Sequence, residues 1–114
     1  MITRRTSTLS PTRGKTAVHD GLVYTVATST TKSPSLYEQA REALATIDRN
    51  LEEVGSHKSR ILRATVYITD MSRKPELNKA WDEWVDMANL PQRACIGVAL
   101  EGADLVEILV IAAR

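Results

Sequence analysis

The chain is 114 residues long, 43% hydrophobic and 25% charged, which suits one soluble globular domain over residues 1–114 and leaves no room for two. Its 15 Lys and Arg against 14 Asp and Glu leave a net charge of +1, without the basic excess of a dedicated nucleic-acid binder. One Cys excludes an intrachain disulfide framework and a multi-cysteine zinc site. Met1-Ile2-Thr3-Arg4-Arg5 has no apolar signal-peptide core, and no stretch approaches the ~20 apolar residues of a membrane span. These features are compatible with a cytoplasmic protein that does not enter membranes.

In chain order, Thr3 to Leu9 reads as an edge strand, weakened by its Thr and Arg content. Ala17 to Gly21 and Leu22 to Ala27 read as a hairpin around Asp20-Gly21. Leu36 to Val54 is the clearest helix, with Ala40, Leu44, Ile47, Leu51 and Val54 recurring at three- and four-residue steps. Ser35 and Glu38 have capping-box spacing, and Gly55 tolerates the left-handed backbone of a helix stop. Ile61 to Thr69 alternates Leu62, Ala64, Val66 and Ile68 against Arg63, Thr65, Tyr67 and Thr69, the pattern of a half-buried strand. Pro75 to Ala88 reads as a second helix, with Leu77, Trp81, Trp84, Val85 and Ala88 on one stripe. Arg93 to Leu100 is a strand, Glu101 to Asp104 a turn, and Leu105 to Ala112 a strand apolar on both faces apart from Glu107.

The order (β)ββαβαββ points to an α+β fold, one mixed sheet with two helices on one face. Helices cover only that face. The doubly apolar last strand asks for cover on the other, and a further copy of the chain is the expected cover.

Glu107 draws attention because an unpaired carboxylate inside such a strand is costly. It reads either as one half of an interface ion pair or as a proton-transfer group. Arg93 reads either as a solvated strand-start residue or as a planar fork for a carboxylate. If 101–104 closes a hairpin, 98 pairs with 107 and 94 with 111, and Arg93 points to the face opposite Glu107. The two could then serve one site only across a bulge, in another register, or between subunits. Cys95 shares the face of Arg93 and reads as a small buried hydrophobe; Asn78 reads as an exposed helix residue, and Trp81 and Trp84 as packing. His19, His57 and Cys95 have no metal-ligand spacing.

Leu90-Pro91-Gln92-Arg93-Ala94-Cys95-Ile96-Gly97-Val98, followed by Leu105-Val106-Glu107-Ile108, resembles the C-terminal signature of the Rid family, the YjgF-like reactive intermediate (enamine/imine) deaminases. Gly21-Leu22-Val23-Tyr24, Ala64 to Met71 and Leu77 to Trp81 extend the resemblance over about residues 17–113. It implies a chorismate-mutase-like fold, a homotrimer with sheets inside and helices outside, and clefts between subunits. The implied activity is hydrolysis of 2-imino acids and their enamine tautomers to 2-keto acids and ammonia, without metal or organic cofactor. The implied roles are a carboxylate grip for Arg93, activation of the attacking water for Glu107, ligand-facing backbone at Cys95, and a place near the cleft for Asn78. The chain departs from the family at Val26-Ala27-Thr28, at a tyrosine missing near Thr16-Ala17, and at Ser29 to Ser33. It resembles a divergent subgroup that keeps the arginine. A trimer that binds a small carboxylate or a partner without turning it over is the alternative.

Overall fold

Asp20 and Gly21 adopt φ of 50° and 78°, the left-handed pair that a tight two-residue hairpin needs. In the computed structural model, which describes residues 1–114, this turn joins β2 (Gly14–His19) to β3 (Leu22–Thr28). The edge strand β1 (Thr3–Thr6) pairs with β2 and stops short of Leu9. There the Ser7 hydroxyl accepts from the Leu9 amide at 3.0 Å, and the Ser7 amide donates to the Arg13 carbonyl at 2.7 Å, closing a loop.

The first helix, α1 (Leu36–Glu53), starts where its sequence signals it, with Ser35 Oγ accepting from the Glu38 amide at 3.2 Å. It ends at Gly55, whose φ is 79°. β4 (Ile61–Ile68) follows, with a register shift between Ile61 and Arg63. That shift buries Ile61 and turns Leu62, expected inside, out to 52% exposure. The second helix, α2 (Lys74–Trp84), is shorter than its apolar stripe suggests. Val85 is already extended, and Asp86 accepts from the Ala88 amide at 2.9 Å, a local turn that competes with helix. Lys58 Nζ donates to the orphaned Trp84 carbonyl at 2.7 Å.

β5 (Gln92–Gly97) and β6 (Val106–Ala113) do not form the hairpin that the 101–104 turn suggests. The six-stranded sheet has the order β1-β2-β3-β6-β4-β5. β6 lies antiparallel between β3 and β4, and β5 runs parallel to β4 at the edge. Two β-α-β crossovers, β3-α1-β4 and β4-α2-β5, therefore precede a last strand that slots into the gap they leave. The physical reason is apolarity: β6 is the most continuously apolar segment, and a central position gives it a neighbour on either side.

Both helices lie on one face. Val23, Ala27, Ala64, Val66, Ile68, Val106, Ile108 and Val110 point toward them, and each is at most 5% exposed. The opposite face carries Tyr24, Ile96 and Leu109 at 45%, 43% and 38% exposure. The second face of β6 is thus uncovered within one chain.

Candidate functional site

Strand register settles where each candidate residue points. Arg93 and Cys95 lie level with Ala64 and Val66 of β4, on the helix-covered face at the sheet edge. Glu107 lies level with Tyr67 and, on its other side, Thr28. Tyr67 alternates with Val66, so Glu107 belongs to the opposite, open face. The separation of Arg93 from Glu107 holds, although by a different strand order from the expected hairpin. Within one chain the two do not meet.

On the edge side, Arg93 Nη2 donates to Asn78 Oδ1 at 2.9 Å. The guanidinium carbon lies 5.4 Å from the centre of the Trp81 ring. Asn78 and Trp81 are one turn apart on α2, so one helix face supplies an acceptor and an aromatic surface to one cation. No carboxylate pairs with Arg93. A guanidinium carries five N–H donors, so most remain free for a ligand. β5 is an edge strand, and its outer side presents backbone groups without a ladder partner beside Arg93 and Cys95. Burial pushes the Cys95 thiol up from its ordinary value, against the pull of the Arg93 and Lys74 charges. It is half-buried and neutral at physiological pH, not a poised thiolate.

Asn78 is therefore half-buried and bound rather than a free surface residue. Trp81 was legible as core and is 7% exposed, but its contact with Arg93 was not read from the sequence. The signal was present: Asn78 and Trp81 at i and i+3 share a helix face.

Glu107 is half-buried and has no cation partner in its own chain. Water reaches its face, which explains how a carboxylate is tolerated inside β6. The same face holds a broad groove under the 7–13 loop, lined by Arg4, Arg13, Arg63, Tyr24, Leu109 and Ile111. His19 lies 3.2 Å from Asp20 at the hairpin turn, and His57 accepts from the Ser59 amide at 3.1 Å. No group of three or more His, Cys, Asp or Glu converges as a metal site would require.

The family model described as Endoribonuclease L-PSP matches residues 12–114. A RutC family protein of Haemophilus ducreyi is 40% identical over 99 residues, covering 85% of each chain. RutC family protein YoaB of Escherichia coli is 35% identical over 97 residues, covering 84% of this chain and 85% of its own. Among solved structures, a member of the YjgF protein family from Neisseria meningitidis superposes with a TM-score of 0.93 at 31% identity, over 100% of this chain and 95% of that one. The matched stretch carries both Arg93 with its Asn78 support and Glu107, and the chain belongs to the L-PSP family of YjgF, RutC and Rid proteins.

Proposed function

We propose that the protein hydrolyses 2-imino acids and their enamine tautomers to 2-keto acids and ammonia, in clefts between the subunits of a cytoplasmic homotrimer. The observation that carries this reading is the Arg93 guanidinium, held by Asn78 and Trp81 and left without a carboxylate of its own. A planar fork of that kind binds a carboxylate through paired, charge-assisted hydrogen bonds and so fixes the adjacent C=N group. Water adds to the imine carbon, the C–N bond breaks, and nitrogen leaves as ammonia with the protons of the water. Glu107 of a neighbouring copy takes the proton from the attacking water and returns it to the departing nitrogen. The balance needs neither electrons nor a metal ion. The backbone of Cys95 borders the same edge.

The opposite-face placement of Arg93 and Glu107 supports a cleft between copies. It also favours the alternative in one respect, since a lone chain offers an anchor without a base. No helix is long and apolar enough to cross a membrane, and the near-neutral charge gives no reason to invoke nucleic acid.

The test generates imino acids with an amino-acid oxidase and traps the survivors with semicarbazide. Wild-type protein should hasten loss of the trappable species. Arg93→Ala should lower kcat/KM roughly 30- to 1000-fold. Arg93→Lys should lose most of that too, because it keeps the charge without the fork. Glu107→Gln should lower kcat while a keto-acid product still binds. Binding without turnover in the wild type would hand the site to the alternative.

A further inference from the structure

The helix face that holds Arg93 continues one turn further. Lys74 is the first residue of α2, four before Asn78 and seven before Trp81, on the same stripe. Three contacts fix how that stripe lies along β5. Trp81 and Asn78 meet Arg93. At the other end a Cβ built on Gly97 would stand 2.8 Å from Met71 Cγ, so the Met71 side chain rests on the Gly97 backbone. The helix therefore runs opposite to the strand. Lys74, between Met71 and Asn78, falls level with Cys95, between Gly97 and Arg93, about 7 Å along the strand from Arg93.

Lys74 is half-buried and makes no ion pair. Its neighbour Glu76 is occupied by Arg73, at 2.8 and 3.2 Å. A lysine in the first turn of a helix also opposes the helix dipole. Nothing within the chain stabilises that charge where it stands. Its charge, like that of Arg93, opposes the upward push of burial on the Cys95 thiol.

We infer that Lys74 is a second anion-binding group beside Arg93 at the β5 edge and that it selects substrates with two carboxylates, the 2-imino dicarboxylic acids. Arg93 takes the carboxylate next to the imine, and Lys74 takes the one at the end of the side chain. This rests on the proposed function for its chemistry, but not for its binding claim.

The experiment therefore has two arms. In the first, 2-oxoglutarate and 2-oxobutyrate, stable keto acids with and without the second carboxylate, are titrated into the full-length protein by calorimetry. The wild type should bind 2-oxoglutarate more tightly by about tenfold, the scale of one charge-assisted contact. Lys74→Met should erase that preference, Lys74→Glu should reverse it, and Lys74→Arg should keep it. Circular dichroism confirms that each variant is folded. In the second arm, imino acids made from glutamate and from alanine by their oxidases are compared in the semicarbazide assay. The ratio of kcat/KM values should favour the diacid in the wild type and fall about tenfold in Lys74→Met. Preference in the binding arm without turnover of either imine would sink the deaminase reading and leave the second anion site standing. Turnover with no diacid preference, or a preference that survives Lys74→Met, would overturn the inference and leave the deaminase reading intact. Failure of both keto acids to bind would overturn it as well.

Discussion

Arg93 is oriented from the α2 side only, where the Trp81 ring lies against it and its one hydrogen bond runs from Nη2 to Asn78 Oδ1. A neutral amide is suited to that role, because it fixes the fork without neutralising it. Asn78→Ala should raise KM for an imino acid about tenfold, the scale of one hydrogen bond to a charged group. Asn78→Asp should be worse than Asn78→Ala, although it is nearly isosteric, because a carboxylate there pairs with Arg93 and competes with the substrate. Steady-state kinetics of the two variants check the order; an aspartate variant as active as the wild type would refute the role of the free guanidinium.

The elements themselves were largely legible. The Asp20-Gly21 turn, the Ser35 cap and the Leu36–Glu53 periodicity are local signals, and local signals survive into the fold. Strand order was not legible, because pairing is a long-range choice. The 101–104 turn suggests a hairpin, while the apolarity of β6 favours a central slot, and the slot prevailed. For the candidate site, the opposite facing of Arg93 and Glu107 was inferred through a 101–104 hairpin register that the fold does not contain, and it holds through the pairing of both strands with β4 instead, whereas the support from Trp81 needed the packing of α2. Gln39 escaped notice because it looks like one more polar residue beside Glu38. It is 0% exposed. Its amide nitrogen donates to the carbonyls of Ser33 and Ala103 at 2.7 and 3.0 Å, and its oxygen accepts from the Leu105 amide at 2.9 Å. One side chain thus ties α1 to both loops that lead to the Glu107 end of the sheet. Gln39→Met keeps the volume and strands three backbone groups, which should cost roughly 3 kcal/mol or more. The urea midpoint should drop by about 1–2 M, while Glu38→Met, at the surface, shifts it little.

At the scale of the molecule, the open sheet face governs behaviour. Tyr24, Ile96 and Leu109 are exposed on it, and large apolar side chains gathered on one sheet face are the material of an interface. Sedimentation equilibrium should return about three times the chain mass at micromolar concentration; a clean monomer would contradict the shared cleft. Leu109→Asp, at the middle of that face, should shift the protein toward monomer and abolish turnover together. The position of β6 has a different consequence, one of timing. It is latest in sequence yet central in space, with β3 on one side and β4 on the other. While the chain is still being synthesised, β1 to β3 and β4 to β5 are two separate ribbons with no strand to join them. Each exposes an unpaired edge of the kind that recruits other chains. Sheet closure waits for residues 106–113, which alone join the two ribbons.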